Sequence, residues 1–324
     1  AVALGSVQEY PTKPVRLIVP FAPGDASGLV SRRPVRGEDA RSPGFVAVAL
    51  GSVQEYPTKP VRLIVPFAPG GGTDIVARVM AQKTSEIFRQ SIVIDNRGGA
   101  GGIIGMETTV RATPDGYTLG IVSGSIATVA AANKLPFDPV KDITPVSMLG
   151  EAGFLLTLNP AVPAKTTLEL IAYAKANPGK IAYGSSGTGG TSHLVGELFD
   201  LMAGTQMTHV PYKSSGPALT DMLGGQIQMI YGSSPVVNPH ANSGRLRVIA
   251  ITTLKRSRAL PNIPTVAESG VPGFETITWY ALSGPRGLAP AVVERWQNAL
   301  RAALQSREMR ERFDLDGLDA DRKS

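Results

Sequence analysis

Two glycine-rich segments hold the residues of this chain that could bind an anion. The first is PFAPGGGTD at residues 66–74, and the second is GSSGTGGTSH at residues 184–193. Glycines let the backbone approach a ligand, and N–H groups that are free at the start of a following helix attract negative charge. The second segment adds hydroxyl donors that suit a carboxylate. Each segment alone also fits a structural turn, with Thr73 or Asp74 capping the helix in the first case.

Nucleotide and hydrolase chemistry fit these segments less well. The first segment lacks the Gly-Lys-Ser/Thr ending of a P-loop. A third glycine segment, GAGGIIG at residues 99–105, departs from the dinucleotide-binding spacing. There is no G-x-S-x-G motif, and a capping role suits His193 better than service as a base for Ser185 or Ser186. An α/β enzyme, NAD(P)-dependent or hydrolytic, remains the alternative to a binding protein.

The composition is that of a globular protein with room for two lobes. The chain has 324 residues, of which 43% are hydrophobic and 18% charged. Its net charge of +6 comes from scattered Lys and Arg residues, which argues against a nucleic-acid partner. The absence of Cys excludes thiol catalysis and iron–sulfur clusters, and His193, His209 and His240 have no metal-ligand spacing. We therefore expect no metal and no cofactor.

Strands and helices alternate around the glycine segments. The apolar run at residues 61–65 predicts a strand before the first segment, and a helical pattern starts at Asp74. A strand at residues 180–183 precedes the second segment, and a helix at residues 194–202 follows it. Repeated units of this kind predict an α/β fold with mainly parallel sheets, in which ligands bind beyond the carboxyl ends of the strands.

The chain divides into two predicted lobes. Residues 56–156 together with residues 278–324 are expected to form the first lobe, and residues 157–277 the second. Each lobe then carries one glycine segment, and the two segments face each other across a cleft. Ligand specificity would come from side chains that line this cleft, for which the candidates are Phe67, Ser123, Tyr231, Ser233, Ser234 and Tyr280.

The N-terminal part of the chain contains an internal copy. Residues 1–24 recur letter for letter at residues 47–70, but only the second copy continues into Gly-Gly-Thr-Asp at residues 71–74 and the helix behind it. We interpret residues 1–46 as a duplication outside the fold. The small apolar run at residues 46–53 is typical of the end of a signal peptide whose charged start is missing, which predicts export.

Several motifs together resemble one known family. They match the pattern of the Bug extracytoplasmic solute receptors, the TctC-like binding proteins of tripartite tricarboxylate transporters. The resemblance covers residues 55–313, and its motifs lie at residues 56–74, 95–102, 114–119, 210–219, 260–270 and 272–274.

The resemblance implies a type II periplasmic-binding-protein fold, with two α/β lobes joined by two crossings around a central cleft. In this family the ligand carboxylate is held between the two glycine loops by backbone N–H groups and ordered waters. The implied ligand-binding residues in these loops are Phe67, Ala68, Pro69, Gly70, Gly71, Gly72, Thr73, Asp74, Ser185, Ser186, Gly187, Thr188, Gly189, Gly190, Thr191, Ser192 and His193.

The function that the resemblance implies is capture of a solute without catalysis. The expected ligand is a small organic anion: a dicarboxylate or tricarboxylate, an amino acid or an aromatic acid. The expected partners are membrane transporter subunits or a sensor protein, and the receptor is expected to be a periplasmic monomer.

The C-terminal end departs from the family pattern. Residues 311–324 drift from it, and the chain stops where the family's closing helices are expected. Because those helices pack on the first lobe, their loss would expose apolar core surface. We therefore expect this lobe to be incompletely covered.

Overall fold

The computed structural model describes residues 56–315 and 317–320. The expectations about the duplication at residues 1–46 and about the signal peptide concern residues outside this range. The strands are β1 (Val61–Val65), β2 (Ile92–Asn96), β3 (Thr118–Ser123), β4 (Ile143–Gly153), β5 (Leu155–Leu158), β6 (Ala182–Ser185), β7 (Thr208–Pro211), β8 (Met229–Gly232), β9 (Arg247–Ile251), β10 (Ile277–Pro285) and β11 (Asp319–Ala320). The helices are α1 (Gly72–Phe88), α2 (Ile103–Val110), α3 (Ser125–Ala132), α4 (Thr167–Ala176), α5 (Thr191–Ala203), α6 (Ser215–Leu223), α7 (Ser234–Asn242), α8 (Pro290–Gln305) and α9 (Arg307–Leu315).

The strands form two mixed sheets. The first has the order β11-β4-β10-β3-β1-β2, and the second has the order β7-β6-β8-β5-β9. Strand β1 is parallel to β2 and β3, and β6 is parallel to β7 and β8. Strand β10 is antiparallel to β3 and β4, and β5 is antiparallel to β8 and β9. The prediction of mainly parallel sheets is wrong. Parallel pairing needs a helical crossover between strands, and the strands at the crossings, β5 and β10, join their sheets without one.

The crossings between the sheets are nearly direct. Only Phe154 separates β4 of the first sheet from β5 of the second. Because β5 begins at Leu155, the predicted boundary between residues 156 and 157 cuts through a strand. Strands β4 and β10, which lie next to each other in the first sheet, both run to the crossings.

The C-terminal helices cover the first sheet. Trp296 and Leu300 of α8 and Phe313 of α9 are buried in the same core as Val65 and Met80. The expectation of an uncovered core at this end is therefore wrong for the described residues. Within these residues, no helix is long and apolar enough to cross a membrane.

Helix α1 shows why the first glycine segment is followed by a helix. Val76, Met80, Ala81 and Phe88 recur at helical spacing and are buried against the sheet. The helix begins at Gly72, two residues before the predicted start, with Gly71 as its N-cap and no side-chain cap. Its first N–H groups are thus left without a capping side chain.

Candidate functional site

A small cavity lies between the two sheets, where several strand–helix turns meet. Its volume is about 40 Å³. Strands β1, β3, β6 and β8 all end next to it, as expected for a ligand site in an open α/β sheet. The lining residues come from both lobes and are Phe67, Gly71, Gly72, Thr73, Ser123, Ser125, Phe154, Ser186, Thr191, Ser192, Ser215, Tyr231, Ser233, Thr278 and Tyr280.

The starts of five helices converge on this cavity. Residues at the beginning of α1, α3, α5, α6 and α7 line it, respectively Gly72, Ser125, Thr191, Ser215 and Ser233. The first N–H groups of a helix have no intrahelical partner, and the helix dipole places positive potential there. None of the lining residues carries a charged side chain. The cavity is therefore suited to a small anion held by dipoles and hydrogen bonds.

Buried hydroxyl groups add donors to the same cavity. In the described part of the chain, the Tyr231 Oη and Ser233 Oγ atoms are buried and have no hydrogen-bond partner. Burial also raises the pKa of the Tyr280 phenol above its usual value, so this phenol remains a hydrogen-bond donor at neutral pH. Buried polar groups normally have partners, so unpartnered hydroxyls in a cavity point to a polar ligand.

Asp74 supports the first loop and does not line the cavity. Asp74 is 2% exposed, and its carboxylate accepts hydrogen bonds from the Gly70 N–H at 3.0 Å, Arg78 Nε at 2.9 Å and Asn96 Nδ2 at 2.8 Å. Burial alone would raise the pKa of this carboxyl, but the hydrogen bonds from Arg78, Gly70 and Asn96 together lower it. A carboxylate that is already ionised and fully bonded fixes the loop and cannot donate to an anion.

Hydrogen bonds among its own serine side chains fix the shape of the second loop. The Ser186 N–H donates to Ser192 Oγ at 2.9 Å, and the two hydroxyl oxygens lie 3.0 Å apart. Gly187 and Gly189 have φ angles of 126° and 77°, in the left-handed region that favours glycine. The loop therefore presents Ser186, Thr191 and Ser192 to the cavity in a fixed arrangement.

A pair of histidines lies behind the second loop. Ser185 Oγ is 2.6 Å from His209 Nε2 and also accepts the Gly187 N–H at 3.1 Å. His193 Nδ1 accepts the Gly189 N–H at 3.1 Å, and its ring stacks on His209 with the centroids 3.9 Å apart. Burial, and secondarily the neighbouring His193, lowers the pKa of His209 to about 4.

This histidine pair bears on the hydrolase alternative. The serine–histidine contact joins Ser185 to His209, whereas His193 is the candidate base in the sequence. Ser185 is 1% exposed and is not among the cavity-lining residues, so its hydroxyl is not offered to a substrate there. His193 is tied to Gly189 of its own loop. Both histidines therefore support the loop's shape.

Direct hydrogen bonds join the two lobes around the cavity. Ser125 Oγ of the first lobe accepts the Thr191 N–H of the second at 3.2 Å and lies 3.3 Å from Thr191 Oγ1. The Ala68 N–H donates to the Lys213 carbonyl at 3.1 Å. The two lobes are therefore in contact, and the cleft is closed in this structure.

The structure divides the predicted site residues into three groups. Those that line the cavity are Phe67, Gly71, Gly72, Thr73, Ser123, Ser186, Thr191, Ser192, Tyr231, Ser233 and Tyr280. Ala68, Gly187 and Thr188 line a second, larger groove between the lobes. Those that line neither space are Pro69, Gly70, Asp74, Ser185, Gly189, Gly190, His193 and Ser234.

Four further residues line the cavity and were not predicted from the sequence. They are Ser125, Phe154, Ser215 and Thr278. Ser125 and Ser215 each open a helix after a strand, and that position marks them in the sequence. Phe154 and Thr278 lie at the crossings, and nothing in their local sequence marks them.

Comparisons with known proteins identify the family. Residues 76–323 match the tripartite tricarboxylate transporter family receptor. The chain is 39% identical over 316 residues to Protein BugT of Bordetella pertussis, covering 96% of this chain and 82% of that protein. A solved periplasmic transporter structure is 42% identical, with a TM-score of 0.79, and covers 82% of this chain and 90% of that one.

A further solved structure contains a ligand. It is Rpa4515 of R. palustris with adipate, which is 37% identical with a TM-score of 0.79 and covers 82% of this chain and 90% of that one. These similarities confirm the predicted periplasmic-binding-protein fold and the Bug-type, TctC-like character of the chain. The chain belongs to the tripartite tricarboxylate transporter receptor family.

Proposed function

We propose that this chain is a periplasmic receptor that captures a small carboxylate in the cleft and presents the closed form to a membrane transporter. The observation that carries the proposal is the convergence of five helix starts on a cavity without charged side chains. The adipate bound to Rpa4515 supports a carboxylate as the ligand class.

The chemistry of capture follows from the donors around the cavity. Backbone N–H groups at the start of α1 and the hydroxyls of Ser192 and Ser233 would donate to the carboxylate oxygens. The remaining negative charge would be balanced by the positive ends of helices from both lobes. Because these helices belong to different lobes, an anion between them draws the lobes together. Binding and closure are therefore coupled.

The contacts between the lobes explain why ligand binding favours the closed form. The closed form has the Ser125–Thr191 and Ala68–Lys213 hydrogen bonds, which an open cleft would lose. A ligand that contacts both lobes binds the closed form better and shifts the population toward it. The transporter can then distinguish loaded from empty receptor by shape alone.

A thermal-shift panel tests the proposal. The panel contains adipate, malate, glutamate and benzoate, with adipamide as an uncharged match for adipate and NAD⁺ and NADP⁺ for the enzyme alternative. We expect at least one carboxylate to raise the melting temperature and adipamide to leave it unchanged, because the cavity favours negative charge. Stabilisation by a dinucleotide and by none of the carboxylates would contradict the receptor function.

A further inference from the structure

Thr252 lies where the two crossings between the lobes come together. It directly follows β9 of the second sheet and is fully buried. Phe154 forms the first crossing, between β4 and β5, and Thr276 is the last residue before β10 in the second crossing. The Thr252 side chain is hydrogen-bonded to both of them, so one residue contacts both connections between the lobes.

Four hydrogen bonds join Thr252 to the crossings. Its backbone N–H donates to the Phe154 carbonyl at 2.9 Å, and its carbonyl accepts the Thr276 N–H at 2.9 Å. Its hydroxyl oxygen accepts the Phe154 N–H at 2.8 Å, and the hydroxyl group donates to the Thr276 carbonyl at 2.7 Å. Each polar group of Thr252 is therefore bonded to a crossing.

These bonds begin where the ladder between β4 and β10 ends. The last residues paired in that ladder are Gly153 and Ile277. In the same register the next residues, Phe154 and Thr276, would face each other, but the N–H groups of both bond to Thr252. Thr252 thus joins the two chains at the point where they stop pairing with each other and leave the first sheet.

The Thr252 hydroxyl is sensitive to the angle between the lobes. Rotation of one lobe against the other must alter backbone dihedral angles at the crossings. The hydroxyl holds the Phe154 N–H and the Thr276 carbonyl at the same time, and hydrogen bonds weaken steeply as their length and angle change. A rotation that separates these two groups breaks at least one bond and leaves a buried group without its partner. The hydroxyl therefore favours the arrangement seen here, in which the cleft is closed.

The crossings also carry part of the cavity wall. Phe154 itself lines the cavity, and Thr278 and Tyr280 of β10, which line it too, follow closely after the second crossing. Thr252 is not among the lining residues. A displacement at Thr252 would therefore move the cavity wall although this residue does not face the cavity.

We propose that the Thr252 hydroxyl is a positioning group for ligand capture, which holds both crossings in the geometry of the closed form without contacting the ligand. The inference rests on the proposed function and deepens it, because it assigns part of the ligand affinity to a residue between the crossings. Without this hydroxyl, the loaded receptor opens and releases its ligand more readily.

Thr252→Val and Thr252→Ser test the role of the hydroxyl. Valine keeps the shape of threonine without the hydroxyl, whereas serine keeps the hydroxyl without the methyl group. In calorimetric titration with adipate, we expect Thr252→Val to bind about tenfold more weakly, because two hydrogen bonds that favour the closed form are lost. The dissociation rate, followed by tryptophan fluorescence, should rise by about the same factor. Thr252→Ser should bind adipate within about twofold of the wild-type protein, since it retains both bonds.

Unfolding in urea separates this role from a general effect on stability. Thr252→Ser should lower the free energy of unfolding, because it removes a buried methyl group, yet retain its affinity for adipate. Thr157→Val is the matched control, since Thr157 is also fully buried and donates its hydroxyl to the Leu155 carbonyl at 3.0 Å within the same strand, β5. We expect this variant to be less stable and to bind adipate as the wild-type protein does.

Three outcomes would overturn the inference. They are wild-type affinity in Thr252→Val, an equal loss of affinity in both Thr252 variants, and an equal loss in Thr157→Val. If Thr252→Val does not fold, Thr252→Ser decides: reduced stability with retained affinity supports the inference, and a clear loss of affinity overturns it. Failure of the wild-type protein to bind adipate also overturns it, whereas carboxylate capture as such is judged separately by the thermal-shift panel.

Discussion

Gly72, at the start of α1, leaves space in the cavity and exposes its backbone N–H group. A Cβ atom at this position would lie 2.4 Å from Ser233 Oγ and 3.0 Å from Tyr280 Oη, inside the cavity. Glycine therefore keeps the cavity open while leaving the N–H of the first helical residue accessible to an anion. Glycine is needed here for lack of space and not for backbone conformation, because the φ angle of Gly72 is not in the left-handed region.

Gly72→Ala should weaken carboxylate binding by about tenfold or more, because the added methyl group occupies the ligand's space and displaces Ser233. Calorimetric titration with the carboxylate that gives the largest thermal shift measures the loss. The matched control is Gly224→Ala, where the nearest atoms to the new Cβ lie at 3.6 Å and no cavity is involved. Unchanged affinity in Gly72→Ala would place the ligand elsewhere.

His209 makes the stability of the protein depend on pH. Burial and the adjacent His193 lower its pKa to about 4 from an ordinary value of 6.5, while Glu197 opposes this. The folded protein thus favours the neutral ring. The stabilisation is complete above about pH 6.5 and is lost as the pH falls from there through about 4.

The free energy of unfolding, measured with urea between pH 7 and pH 4, should therefore fall more steeply in the wild-type protein than in His209→Gln. The glutamine variant has no titrating group at this position but retains a polar side chain near Ser185. The difference between the two profiles isolates His209 from carboxylates that titrate in the same range. Parallel profiles would show that His209 titrates normally in the folded protein.

At the scale of elements, the first residues of α3 and α5 meet across the cleft. Ser125, the first residue of α3, accepts the N–H of Thr191, the first residue of α5. This bond satisfies one of the free donors of α5 from the opposite lobe. In an open cleft water would replace it, so the bond contributes to closure more than to the folding of either lobe.

Ser125→Ala should weaken carboxylate binding by about two- to tenfold, because loss of one such bond destabilises the closed form by about 0.5–1.5 kcal/mol. The unfolding temperature without ligand should change little. Ser243→Ala is the control, since Ser243 is exposed and bonds only within its own lobe, to the His240 carbonyl. Equal ligand affinity in both variants would mean that this contact does not take part in closure.

The elements with local signals could be predicted from the sequence. Helix α4 is an example, because Thr166 Oγ1 accepts the Glu169 N–H, and the spacing of Thr166 and Glu169 is a capping pattern that a sequence alone displays. Helix α5 begins three residues before its predicted start, since Gly190 caps it without a side chain. Strand β10 is buried along nearly its whole length, so it lacks the alternation that marks a strand with one exposed face.

At the scale of the whole molecule, the cleft depends on two lobes that each fold around their own sheet. The two glycine loops could be predicted from sequence because each is a local motif. The contributions of Phe154 and Thr278 could not, because these residues lie at the crossings and reach the cavity only when the lobes lie against each other. The positions of Asp74 and His193 behind the loops likewise follow from hydrogen bonds that spacing does not reveal.

The central claim is that a carboxylate is held between the lobes by helix starts from both of them. The most direct test is the crystal structure of the protein grown with the carboxylate that gives the largest thermal shift. We expect one carboxylate group in the inner cavity, within hydrogen-bond distance of both the Gly72–Thr73 backbone and the Ser192 or Ser233 hydroxyl. An acid bound outside the cleft, or contacting one lobe only, would contradict the account.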